Sequence, residues 1–513
     1  PKGSWLKRAK GGSRRGGQRW WRPAAMASEA SDPSASSASA APGDGGDGDE
    51  ETAPGLPGED ERDEDLENRV AWTVNAPLLY DLFIGCSLEW PALSVAWLPD
   101  DPEEGARLAF GLHTDGSVPH EVVVAELCCS AVSELDADPW QTWQVPGLGS
   151  VEAFGCSAPP GAEGPLRVAA RLAHPTEVNR IAPCPSVPKL LATKAASGAV
   201  LLFDYKAERT PGVVSPDATL MPKGEASDGF ALEWSPSNRR LLATGDNSGR
   251  LCVWDVEVAA KVSANPLLQV SQAHDGAVCA TCFNGQEPHS VATVGDDGCL
   301  RLWDLRAAGG VGAAAVPRLK ATVSGDEVLS VDWSRHQEHL IATTGKDREV
   351  RVWDVRAMRQ APLHALCGHK GDVVAVRWAP FREGLLASCS SDARLLLWDL
   401  EIESPPSDEA LEGTSPEMLF AHAGHHQGVS DFAWSSLDEY LMCSVSEDNR
   451  LQIWQPSAEL YLPGAGEEEE GEEGDPLAAS SGGGAGTAAA AGAWTAEDAD
   501  EGDSPQRKRQ RAA

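Results

Sequence analysis

The chain has 513 residues and a formal net charge of −36, with 78 acidic against 42 basic side chains. That excess argues against sequence-specific nucleic-acid binding and suits positively charged partners. No secretory signal and no apolar run of about 18 residues is present, so no membrane association is expected, and the scattered cysteines fit a reducing, intracellular setting.

The first residue is Pro1, and residues 1–25 are basic (Lys7, Arg8, Arg14, Arg15). Met26 then opens an acidic, Ser/Ala/Gly-rich stretch and is the expected initiator. Residues 1–61 carry too little apolar content to fold and are expected to be disordered. The lead-in, residues 62–87, holds Leu66, Val70 and Val74 at helical spacing before Pro77, which predicts one stripe of a short helix. Residues 88–463 form the predicted ordered body. Its first portion, 88–170, predicts strands at 94–98, 107–112 and 121–127, with a surface loop over 130–164.

From there one pattern recurs. Trp-Asp closes a short apolar run at Trp254-Asp255, Trp303-Asp304, Trp353-Asp354 and Trp398-Asp399, with weaker copies at Phe203-Asp204 and Trp454-Gln455. Successive closures lie 45 to 56 residues apart. Ten residues before each stands a hydroxyl (Thr193, Thr244, Thr293, Thr343, Ser388, Ser444). Six before stand Asp297, Asp347, Asp392 and Asp448, and twenty-nine before stand His174, His274, His369 and His425. Such a set predicts one His–hydroxyl–Trp network per repeat, with Asp in the turn, a structural rather than catalytic use of these groups. The period predicts an all-β, seven-bladed WD-repeat β-propeller, with residues 88–170 supplying the missing blade and 88–93 pairing with the last blade to close the ring. Residues 464–513 form an acidic tail, expected to be disordered, ending in Arg507-Lys508-Arg509-Gln510-Arg511. That basic cluster is a nuclear-import candidate, and Ser504-Pro505 beside it is a candidate phosphorylation site.

Several segments are more specific than the repeat. Asn75-Ala-Pro-Leu-Leu-Tyr-Asp-Leu-Phe83, Leu88-Glu-Trp-Pro-Ala-Leu-Ser-Val-Ala-Trp-Leu-Pro99, Thr176-Glu-Val-Asn-Arg180, Met418-Leu-Phe420 with Gly424-His425, and Ser444-Val-Ser-Glu-Asp-Asn449 resemble the retinoblastoma-binding, histone-binding WD-repeat family. Its members include the small subunit of chromatin assembly factor. The resemblance spans nearly all of residues 62–461 and implies two binding surfaces.

The first is an edge groove for a helix of histone H4. It would be made by Leu66, Val70 and Val74 of the lead-in helix, by the acidic loop after Leu400 (Asp408, Glu409, Glu412, Glu417), and by Leu419, Phe420, Glu459 and Leu460. An apolar floor with an acidic wall suits a helix with one apolar and one basic face. The second surface is the mouth of the central channel, where Glu177, Asn179, Arg180, Asp228, Phe230, Asp372 and Glu447 would hold a basic peptide such as the histone H3 tail. Here Cys279, Leu329 and Val374 replace the Glu, Asn and Phe usual in the family. Ala421 and Glu459 are departures at the groove.

Other signals point elsewhere. Cys279-x-x-Cys282 reads as core cysteine in a strand, because no second pair accompanies it. Trp303-Asp-Leu-Arg306 and Trp353-Asp-Val-Arg356 match the short box by which some WD proteins dock on the adaptor of cullin ubiquitin ligases. No Gly-rich phosphate loop and no metal-ligand cluster is present, so neither an enzyme nor a cofactor is expected. The leading expectation is a nuclear histone-binding subunit of chromatin assembly, histone deacetylase and Polycomb-type or remodelling complexes. The alternative is a ubiquitin-ligase substrate receptor using Arg306 and Arg356.

Overall fold

A computed structural model describes residues 70–99, 105–131, 139–205, 214–238, 240–256, 265–306, 316–402, 413–436 and 438–461. Strands dominate, because short Val/Leu/Ala-rich runs alternate with Gly- and Asp-bearing turns. They form seven radial sheets. Blade 1 is Ala92–Trp97, Arg107–Leu112, His120–Leu127 and Leu166–His174. Blades 2 to 6 start at the inner strands Val178–Pro183, Leu232–Trp234, Val278–Phe283, Val328–Trp333 and Val373–Trp378, each with three further antiparallel strands. The inner strands pack in a closed cycle, with Ala92–Trp97 touching both Val178–Pro183 and Val429–Trp434 of blade 7. Close approach between blades needs small residues: a methyl on Gly245 would lie 2.5 Å from Val278 Cγ1.

Blade 7 departs from the rest. Its strands Val429–Trp434, Met442–Ser446 and Arg450–Pro456 are completed by Tyr80–Ser87, far earlier in the chain. The closing strand is therefore not residues 88–93, as the sequence suggested. Phe83 pairs with Trp454 and Ile84 with Ile453, so the interdigitating apolar residues lie before Ser87. Pro91 lacks a backbone N–H, and residues 89–90 form a bend between the two strands. The expected surface loop at 130–164 is also corrected. Gln141–Val145 and Gly149–Phe154 add two strands outside Tyr80–Ser87, making blade 7 six-stranded, while Ser130–Ala131 pairs with Cys156–Ser157. Alternation in Gly149–Phe154 is weak, which hid it; Val151, Ala153 and Phe154 are nonetheless buried.

The repeat network forms as spaced. In blade 4, Trp303 Nε1 donates to Thr293 Oγ1 (2.9 Å), whose hydroxyl lies 2.8 Å from His274 Nε2, and His274 Nδ1 is 2.8 Å from Asp297. Blade 6 repeats it through Trp398, Ser388, His369 and Asp392 (2.9, 2.8 and 3.1 Å). In blade 3, which lacks the His and Asp, Arg250 substitutes: its guanidinium binds Asp246 (2.9 Å) and the Glu225 carbonyl (2.5 Å). Burial lowers the His274 pKa and takes His174 down to about 4, so both imidazoles are held neutral.

Candidate functional site

Residues 70–79 are helical and run directly into Tyr80–Ser87. The helix thus continues through Pro77 instead of ending before it. Proline removes the N–H that would bind the Thr73 carbonyl. That carbonyl instead accepts a hydrogen bond from Trp140 Nε1 at 3.3 Å, so the extra segment of blade 7 satisfies the gap.

One face of the helix is seated on aromatic rings. Trp72 meets Phe83 edge-on at 5.1 Å and Tyr80 at 6.1 Å, Trp140 packs on Phe154 at 4.7 Å, and Ala76 is fully buried. Beneath them lies a polar chain. His422 Nε2 faces the Gln452 carbonyl oxygen (2.9 Å) and therefore carries the proton, which leaves Nδ1 to accept from the Tyr80 hydroxyl at 2.8 Å. Gln452 Nε2 donates to the Gly424 carbonyl (2.8 Å), and the His422 ring stacks on Trp454 at 4.1 Å. Burial raises the Tyr80 pKa and pushes His422 well below its usual value, so both stay neutral. Gly424 matters sterically: a Cβ there would come 2.6 Å from Gln452 and 3.0 Å from Trp72.

The opposite face is open. Val70, Val74 and Leu78 are 59%, 70% and 77% exposed, an uncovered apolar stripe at i, i+4, i+8, with Leu460 (41%) on the 3-10 turn Ala458–Leu460. That turn is tied to the helix end by Ser457 N–H donating to the Leu79 carbonyl (2.9 Å) and Ala458 N–H to Asp81 (2.9 Å). Of the other groove candidates, Phe420 is buried against Tyr80, Leu419 packs at the edge of that core, and Glu417 lies 3.5 Å from His364 of blade 5. Leu66, Asp408, Glu409, Glu412 and the side chain of Glu459 lie outside the described residues, as do Met26, Ser504 and Arg507–Arg511.

The channel-mouth candidates divide. Glu177, Asp228, Asp372 and Glu447 lie in the turns at one end of the ring, and Phe230 is part-exposed beside them. Burial raises the pKa of Asp228, Asp372 and Glu447, as expected of carboxylates in a confined opening. Asn179 uses its amide within the fold, donating to Asp228 (2.5 Å) and the Gly229 carbonyl (2.9 Å). Arg180 sits deeper, 3.2 Å from Asp431, which Arg377 also binds at 2.6 Å. Cys279 Sγ faces Asp296 (3.2 Å) whereas Cys282 points to Asp332 (3.6 Å), so the two thiols share no partner. Arg306 and Arg356 are exposed, each paired with the Asp of its own box at 2.9 and 2.6 Å.

Two family matches bear on this geometry. The WD domain, G-beta repeat family matches residues 265–304, 317–354, 360–399 and 417–455. Residues 67–129 match the family described as histone-binding protein RBBP4, or the corresponding component of the CAF1 complex. That stretch contains the seated helix, the closing strand and most of blade 1. The chain belongs to the histone-binding WD-repeat family. It is a chromatin-related protein whose propeller follows the family's repeat architecture.

In this histone-binding protein, sequence reasoning missed Leu78, Trp72, Trp140, Tyr80 and His422. Leu78 continues the Val70/Val74 spacing, and only the presence of Pro77 disguised it. Trp140 carries no local signal, since its partner Thr73 stands 67 residues away.

Proposed function

We propose that the chain is a non-catalytic histone-binding subunit that takes a helix of histone H4 along its edge helix. It would present histones to the enzymes and assembly factors of nuclear chromatin complexes of the assembly, deacetylase and Polycomb or remodelling kinds. A basic histone tail, such as that of H3, would sit at the channel mouth. The observation that carries this reading is the stripe Val70, Val74 and Leu78: three large apolar side chains left in solvent on a helix whose other face is firmly seated. Exposed apolar stripes of this kind mark partner sites, and a partner helix with matching i, i+3/i+4 anchors fits one.

The test is binding of an H4 helix peptide by fluorescence anisotropy. Val74→Asp with Leu78→Asp should weaken it at least tenfold, since each buried aliphatic contributes about 1.5–3 kcal/mol. Charge reversal at Glu409 and Glu412 should weaken it further. Unchanged affinity in the Val74/Leu78 variant would refute the groove. The exposed Arg306 and Arg356 keep the ligase-adaptor reading testable in parallel: adaptor binding lost on changing both, with no histone affinity, would replace the proposal.

A further inference from the structure

The inner strands share a defect that the repeat motif does not describe. In five blades the ladder slips next to the first residue, between Val178 and Arg180, Val278 and Ala280, Val328 and Ser330, Val373 and Ala375, and Val429 and Asp431. The skipped residues are Asn179, Cys279, Leu329, Val374 and Ser430, each 24 residues before its closing aromatic, and Phe230 holds the same place before Trp254. Blade 1 slips between Ala92 and Val95, which leaves Leu93 as the counterpart. A bulged residue leaves the ladder and its side chain is re-aimed. Repeated around the ring, these positions form a collar at one end of the channel. The valines just before them are buried (Val178, Val278, Val328, Val373, Val429), whereas Leu93, Cys279, Leu329 and Val374 are only partly so and Phe230 is 37% exposed. Five of the seven collar positions are therefore apolar and open.

Charge surrounds the collar above and below. Above it, Asp228, Asp372 and Glu447 face the opening, and neither Asp372 nor Glu447 has an ion-pair partner among the described residues. Glu327 is already engaged by Lys346 (2.6 Å). Beneath it, Arg180 of blade 2 and Arg377 of blade 6 converge on one oxygen of Asp431 of blade 7 (3.2 and 2.6 Å), which forms a floor of paired charges. The space between is an apolar ring under an acidic crown.

We propose that the mouth recognises an extended basic peptide through one apolar anchor, an aliphatic or aromatic side chain that enters the collar while flanking Lys or Arg residues meet Asp228, Asp372 and Glu447. This rests on the reading that the mouth takes a basic peptide, and it specifies which one. A peptide whose central residue is polar leaves the collar unfilled and keeps only the crown contacts, which salt screens.

The experiment uses the full chain and two labelled peptides of identical Lys/Arg pattern, one with a central Leu and one with Ser. The Leu peptide should bind about tenfold tighter, the effect of burying one aliphatic side chain. Leu329→Asn with Val374→Asn should erase that preference and leave the Ser peptide unchanged, while Asp372→Asn with Glu447→Gln should weaken both peptides alike. Equal affinity of the two peptides for the wild-type chain overturns the anchor and spares the basic-peptide reading. Binding of neither overturns both. Should the collar variant fail to fold, by its thermal melt, the wild-type peptide pair still decides.

Discussion

At the edge, the candidate surface is a helix foreign to the repeat, held by Trp72, Tyr80, Phe83 and Trp140 and by a hydrogen-bond chain through His422 and Gln452. At the channel mouth, the candidate surface is made of equivalent positions on successive blades, held by ordinary strand ladders. The two therefore differ in what supports them. The edge depends on a few long-range contacts that converge on one helix, so a single change there should be felt widely. The mouth distributes its support over seven blades, so its residues can be exchanged at little cost to the fold. This explains how Cys279, Leu329 and Val374 can depart from the family pattern while the ring persists.

The contrast between edge and mouth is most easily broken at Trp72. Trp72→Ala removes the ring on which the helix sits and should lower unfolding free energy by about 3–5 kcal/mol in urea titration, with loss of H4-helix binding. A collar substitution such as Val374→Asn should fall well short of that; parity between the two would mean that both surfaces are supported alike.

Acid should loosen both regions through the buried imidazoles. The unfolded His value is about 6.5, and burial depresses His174 to about 4 in the folded chain. The unfolded state then binds more protons, so this contribution is complete above about pH 6.5 and lost as pH falls toward 4, up to about 3 kcal/mol for His174. His274 and His422 shift in the same direction and add to it. Denaturant midpoints at pH 7.5 and 5.0 measure this, and a flat profile across that window would contradict neutral burial.

Thr293→Val tests a single blade. It leaves Trp303 Nε1 and His274 Nε2 without their shared partner and should destabilise by about 2 kcal/mol, with peptide binding at the edge unchanged. The smallest effect is expected for Trp140→Phe, which keeps an aromatic ring but deletes the donor to the Thr73 carbonyl: about 1 kcal/mol, with faster amide exchange confined to the helix. Exchange that spreads through blade 7 would show instead that Trp140 supports the sheet.

The repeat spacing was enough to foresee the ring, because each blade's network joins residues at fixed short offsets: Trp303, Thr293 and His274 belong to one local unit. It also foresaw three strands of blade 1 and the apolar helix positions Val70 and Val74. The order of closure was not legible. Residues 80–87 and 88–93 are both apolar enough to pair, and only the fit of Phe83 and Ile84 opposite Trp454 and Ile453, with Val151 to Phe154 on the other side, selects between them. Trp140 was equally silent, since its role exists only where Pro77 has left a carbonyl open.

What the sequence by itself determined, then, is the number and register of the blades, because local offsets encode them. The tertiary structure alone decided which residues face a partner. It brought the start of the chain against its last blade to expose Val70, Val74 and Leu78, and it bulged the inner strands so that Leu329 and Val374 face the channel. Both outcomes depend on contacts between segments far apart in the chain, where no periodic pattern reaches.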